Sequence, residues 1–198
     1  MRLQQEHEGN DHESTAQTLI SLGAVYALQN KYDRSKKAYN QAINILKKCY
    51  GNYKDVGICW LKLGNVFLKE KCPAKALQCF QQGLDIIKSI DASDVSTWDA
   101  YYGLGLSYVR QNRPIDAISA LSKACTISSI LDDFKKSESL IHLAFAQFSM
   151  EDEDTALQNF EEAIKIKLSR LNDAVEAENC HKAIIIVLEI CKLWVNYI

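Results

Sequence analysis

Proline is nearly absent from this chain: there are two in 198 residues, Pro73 and Pro114. Glycine is scarce too, with eight, and no low-complexity tract occurs. So few breakers fit an almost wholly helical protein. An excess of either charge is also missing. The 23 basic and 25 acidic side chains are mixed along the chain and leave a net charge of −2. That balance gives no electrostatic footprint for nucleic acid or an anionic membrane, and neither is expected as a partner. Regular cysteine spacing is lacking as well. Seven cysteines, an odd number, contain no Cys-x-x-Cys pair, and no secretory signal is evident. Free thiols in a reducing, cytosolic compartment are expected.

Catalytic machinery is the next absence. The four histidines are His7, His12, His142 and His181, too dispersed to join a nucleophile, a base and an orienting group. Cys180 and His181 are adjacent, so on a helix they point apart. No glycine-rich phosphate loop follows a strand. Glu6, His7, Glu8, Asp11 and His12 form an acidic, solvated start without a second pair of ligands at helical spacing. No enzyme activity, cofactor or metal is expected.

What is present is a repeat. Trp60-x2-Leu63-Gly64-x2-Phe67 places three large residues and one minimal one on a single helical face. Ala76-x3-Phe80 follows on a second helix, which Pro73 opens at a position where a missing N–H costs nothing. The pattern recurs as Leu19, Leu22, Gly23, Tyr26, Ser35, Tyr39 and Ala42. It recurs again as Tyr101, Leu104, Gly105, Tyr108, Ala117, Leu121 and Ala124. A fourth copy is Leu140, Leu143, Ala144, Ala156, Phe160 and Ala163, with Gln147 in the place of the aromatic. Gly23, Gly64, Gly105 and Ala144 are spaced by 41, 41 and 39 residues.

These residues resemble the tetratricopeptide repeat, at a period longer than the usual ~34. The connectors Asp11 to Leu19 and Tyr50 to Val56 are similar to those of kinesin light chain-type repeats, although neither keeps that family's His-Pro pair. The resemblance implies an all-α, right-handed superhelical solenoid of four tetratricopeptide-like helix pairs plus a C-terminal capping helix. Helices are expected at about 14–29 with 32–50, 54–70 with 73–89, 95–111 with 114–131, and 135–150 with 153–171. Residues 1–12 read as a polar tail, and 13–198 as a single domain with repeats at about 16–50, 57–89, 98–131 and 137–171. The last helix, about 173–196, is apolar on most faces. Glu189 and Lys192 interrupt it and it is too short to span a membrane. It serves as the cap, a dimer contact or the seat of a following repeat.

In such a solenoid the first helix of each pair lines a concave surface. The register then places Ile20 there, followed by Ile58, Leu61, Asn65, Leu68 and Lys69. Tyr102, Leu106, Val109 and Arg110 come next, then Ile141, Phe145 and Phe148. The rows Ile20, Leu61, Tyr102, Ile141 and Leu68, Val109, Phe148 are apolar. The asparagines with which kinesin light chains read cargo are replaced by Ile20-Ser21, Leu61-Lys62, Tyr102-Gly103 and Ile141-His142. The Lys, Arg and Asn set of a carboxylate clamp is missing as well. The expectation is an interaction scaffold or adaptor whose largely apolar groove takes an amphipathic helix or apolar peptide. Tyr102 and Phe148 are its expected anchors, and Lys69 and Arg110 its rim charges. The alternative occupant of the groove is the protein itself, through tight curvature or the C-terminal helix. Two other functions compete. One is a segment of a larger cytoskeletal or ciliary complex that assembles through the C-terminal helix. The other is a peptide-sensing regulator, whose DNA-binding helix-turn-helix would not fit in residues 1–13. A cytosolic adaptor of cytoskeletal or ciliary type is the reading by analogy of fold.

Overall fold

The computed structural model describes residues 2–51, 54–90 and 95–169, with side chains for all of these except 2–12, 129–131 and 168–169. Among them are eight α-helices and no strand. The helices are α1 (Arg2–Leu28), α2 (Tyr32–Tyr50), α3 (Lys54–Lys69), α4 (Pro73–Ile90), α5 (Val95–Val109), α6 (Pro114–Leu131), α7 (Asp133–Phe148) and α8 (Glu153–Ser169). From α2 onward every helix end that is flanked by described residues lies within two residues of its expected place. The exception is the start of α1. Helix continues back through the expected tail to Arg2, because Arg, Leu, Gln and Glu are good helix formers and outweigh Gly9. The C-terminal helix expected at about 173–196 lies outside the described residues. The chain forms two compact units, Met1–Ser107 and Tyr108–Ile198.

Each first helix is joined to its second by the same turn. Asn30, Lys71, Asn112 and Glu151 all have positive φ, between 53° and 63°. One residue later an N–H reaches back five positions: Lys31 to the carbonyl of Tyr26, Cys72 to Phe67, Arg113 to Tyr108 and Asp152 to Gln147. This left-handed cap occupies carbonyls that the helix end would otherwise leave bare. Only two of the four positions hold asparagine, which tolerates that conformation. Lys71 and Glu151 hold it at a cost.

In the first unit, α1 pairs with α2, α3 pairs with α4, and α2 packs on α3. The reason these helices approach closely is the minimal side chain. A Cβ added at Gly23 would stand 2.8 Å from the Tyr39 ring, and one at Gly64 would stand 2.9 Å from Phe80. Phe80 meets a second glycine, Gly103 of α5, whose added Cβ would lie 2.3 Å from the same ring. A further crossing has no counterpart in the repeat pattern. Gly57 and Gly83 bring α3 and α4 together, so that a Cβ on Gly83 would meet Leu61 at 2.6 Å and the Gly57 carbonyl at 2.9 Å. Ser35 stands where the other copies have alanine, and its buried hydroxyl donates to the Gly23 carbonyl at 2.7 Å. The second unit repeats the arrangement in α7 and α8, with Ala144, Phe148, Ala156 and Phe160 in one core cluster. Here Gln147 replaces the aromatic and accepts from the Asn159 amide at 2.6 Å.

Cations over aromatic rings follow the period as well. Within hairpins, Arg34 lies over Tyr26, Lys75 over Phe67 and Arg113 over Tyr108. Between hairpins, Lys47 lies 5.6 Å from the Trp60 ring and Lys88 5.0 Å from Tyr101, two pairs that are 41 residues apart. Lys36 adds an ion pair to Glu70 at 2.7 Å, so α2 is pinned to α3 at both ends. That Glu70 hydrogen bond is the largest cause raising the Lys36 pKa, against an opposing desolvation.

Gly64→Leu is expected to cost about 1–3 kcal/mol in chemical unfolding, because the ring it meets is itself fully buried. Phe80→Ala alone should cost about 3–5 kcal/mol. The double variant should lose clearly less than the two combined; strict additivity would mean that the two side chains do not meet. At the turn, Lys71→Gly should raise stability by roughly 0.5–1 kcal/mol, since glycine adopts positive φ freely. A loss of stability there would contradict the left-handed cap.

Candidate functional site: the inner face of the first helices

Burial divides the residues that the register assigned to the inner face. In the first unit Leu61 and Leu68 are only 3% and 5% exposed, and Ile20 is buried in the cluster of Tyr39, Ile43 and Leu46. These three are core. The reason is visible at Leu61, which fills the space left by Gly83 on α4 and so faces its own hairpin partner. The expectation of open apolar rows is corrected at these positions. Ile58, Tyr102 and Leu106 remain half-buried, with Asn65 and Lys69 exposed. Tyr102 stacks on Trp98 one turn earlier, with ring centroids 4.7 Å apart and planes 14° from parallel. That stack holds the phenol ring in one orientation on the surface of α5.

In the second unit Val109 is half-buried and Arg110 exposed. Ile141 and Phe145 are half-buried, and Phe145 meets Phe160 edge-on at 5.3 Å. Phe148, an expected anchor, is buried among Ala144, Ala156 and Phe160 and is corrected to core. His142 lies on the same helix, with its ring 6.2 Å from that of Phe145. Burial is the main cause lowering its pKa below 6.5; Glu138 opposes, while Arg110 and Lys167 push further down. Glu138 in turn holds Lys167 at 2.8 Å.

Chemistry of the thiols is muted. Burial pushes Cys59 up to about 12, and Cys79 and Cys125 up to about 11, so none of the three is a thiolate near neutral pH. Among the described residues, no three His, Cys, Asp or Glu side chains are placed to hold a metal ion, and no helix is long and apolar enough to cross a membrane. A polar depression of about 320 Å³ lies at the α1–α2 turn, lined by Asn30 to Arg34 and Glu70. Its two carboxylates, Asp33 and Glu70, both pair with Lys36. The cation–ring pairs were the feature missed from sequence. Aligning the copies on Gly23, Gly64 and Gly105 would have shown a lysine thirteen residues before each of Trp60 and Tyr101.

A family description, tetratricopeptide repeat, matches residues 1–48 and 57–130, and a second of the same description matches 137–170. The chain belongs to the tetratricopeptide repeat family. It is a repeat protein of the protein-interaction scaffold kind, a fold that is typically non-enzymatic. No curated protein matches it in sequence. Among solved structures it is similar to BtubC (BKLC) from P. vanneervenii, at 17% identity and a TM-score of 0.74, over 81% of this chain and 66% of that one. It is also similar to MamA from Desulfovibrio magneticus RS-1, at 21% identity and 0.61, over 80% and 78%. Aspartyl phosphate phosphatase F from Bacillus subtilis aligns at 14% identity and 0.74, over 93% of this chain and 52% of that one. At such identities the likeness is one of fold. The chain spans about two thirds of the BtubC chain and about half of the phosphatase.

An NMR titration should place the His142 imidazole below 6.5, and Glu138→Gln should lower it further by removing the one favourable charge and releasing Lys167. A histidine with a depressed folded pKa contributes stability that is full above 6.5 and is lost as the pH falls through the folded value. An imidazole that titrates above 6.5 would contradict the burial.

Proposed function

We propose that the protein is an adaptor that holds an amphipathic helix or apolar peptide against the inner face of its first helices. The Trp98–Tyr102 stack carries the reading. A half-exposed aromatic already locked by a neighbouring ring loses little freedom on contact, which suits an anchor for a partner. The first unit also offers apolar Ile58 and Leu106, polar Asn65 and the single charge of Lys69 on its first helices. The second unit offers Ile141 and Phe145 at the corresponding register, with Arg110 as its charge. An apolar face with so few cations favours i, i+3, i+4 apolar anchors over an acidic tail. Raised thiol pKa values, and the lack of a disulfide among the described cysteines, suit a reducing cytosol, and the cytoskeletal or ciliary setting belongs to the same proposal.

Peptide display against the chain, with helical and acidic extended libraries side by side, tests the reading. Enriched ligands should carry helical apolar anchors and bind at least about tenfold more weakly to Tyr102→Ser, as expected for an aromatic hot spot. Circular dichroism should show helicity retained in that variant. Enrichment of acidic tails, or binding indifferent to Tyr102→Ser and Ile58→Ser, would defeat it.

A further inference from the structure

The turn edge of the second unit is apolar where that of the first is charged. In the first unit Asp33 and Lys36 stand one turn apart on α2, and Lys36 pairs with Glu70, just past the end of α3. The register that carries Gly23 to Gly105 and Gly64 to Ala144 carries these three positions onto Ile115, Ile118 and Met150. Ile115 and Ile118 are again one turn apart, on α6. Met150 precedes the positive-φ residue Glu151 as Glu70 precedes Lys71. Because α6 packs on α7 as α2 packs on α3, the register sets the three residues along one edge. Ile115 is 71% exposed there, Met150 is 44% exposed and Ile118 is half-buried. A single exposed isoleucine would need no explanation. Apolar side chains that replace a whole ion-pair network and still face water mark a contact surface.

The chain beside this edge says which partner fits. Glu151, Asp152, Glu153 and Asp154 follow Met150 directly, and all four are exposed. No other turn holds such a run: the equivalents are Asn30-Lys31-Tyr32-Asp33, Lys71-Cys72-Pro73-Ala74 and Asn112-Arg113-Pro114-Ile115. Part of it has a local cause. Asp152 accepts from Thr155, and acidic residues in the first turn of α8 suit the helix dipole. Glu151 has neither reason, since it stands before the helix in a left-handed conformation that a β-carbon disfavours. Glu151, Glu153 and Asp154 form no ion pair among the described residues. Arg113, the cation of the neighbouring turn, is held by Asp116 and the Tyr108 ring. An apolar strip bordered by such carboxylates is complementary to a cationic amphipathic segment and repels an acidic one. We propose that the edge formed by Ile115, Ile118, Met150 and the acidic residues 151–154 docks a lysine- or arginine-rich amphipathic helix of a partner protein. The apolar side of that helix seats on Ile115 and Met150, and its cations reach the carboxylates. These residues are distinct from those of the inner face.

Fluorescence anisotropy on the full chain tests this, with a leucine–lysine amphipathic helix of about 18 residues as the probe. A leucine–glutamate helix of the same pattern is the control. The lysine probe should bind at least about tenfold more tightly than the control, and its affinity should fall as salt rises. Ile115→Ser combined with Met150→Ser should weaken it at least about tenfold, with helicity unchanged because both sites are exposed. Glu151→Lys combined with Glu153→Lys should do the same. Should that pair lose helicity, Glu151→Gln, which leaves the first turn of α8 intact, decides the matter in its place. Tyr102→Ser should leave binding unchanged, which separates this edge from the inner-face reading. Equal binding of the two helices overturns the proposal, as does binding indifferent to the apolar or to the acidic pair. A loss confined to Tyr102→Ser overturns it by returning the peptide to the inner face. Self-association of the chain that Ile115→Ser and Met150→Ser abolish would make the occupant a second copy, and overturns it too.

Discussion

The ring of Phe80 rests against the bare backbone of two helices at once, Gly64 on one side and Gly103 on the other. Packing in this molecule follows from that constraint. A phenyl ring is large and rigid, so helices can close around it only where a neighbour gives up its side chain. Gly23 makes the same concession to Tyr39, and Ala144 shares a core cluster with Phe160. Aromatic size and missing side chains are thus a single device, used in three of the four copies, while the third has Leu121 in place of the ring.

Two polar devices with the same period keep the helices in place. The left-handed cap closes each first helix and returns the chain, even where lysine or glutamate must adopt an unfavourable φ. Cations over rings then fix three hairpins internally and hold α2 against α3. Neither device adds much energy alone, since a cation near an exposed ring contributes only about 0.5–1 kcal/mol. Repetition makes them consequential, because every copy reinforces the same register.

For function the outcome is a division between what the core claims and what it leaves. Leu61, Leu68, Ile20 and Phe148 are apolar because their own helix partners need them. Ile58, Tyr102, Leu106, Ile141 and Phe145 are apolar while still touching solvent, and those are the residues on which recognition can rest. On α1 the same logic runs the other way. Leu22 and Val25 have the side chains of a stacked helix and nothing described lies over them.

Residue order by itself determined the helices, their pairing and their turns. Those depend on spacing along one chain: small residues at a fixed interval, prolines at first turns, asparagines where helices stop. The end of α1 that begins at Arg2 escaped because helix propensity, with no break strong enough to oppose it, simply continued. Which inner-face residues were available for binding was decided only in three dimensions. Leu61 and Tyr102 occupy equivalent positions, yet one fills the gap beside Gly83 and the other lies on Trp98. Burial depends on what stands opposite a side chain, and a neighbour's missing Cβ some twenty residues away is invisible to the helical period.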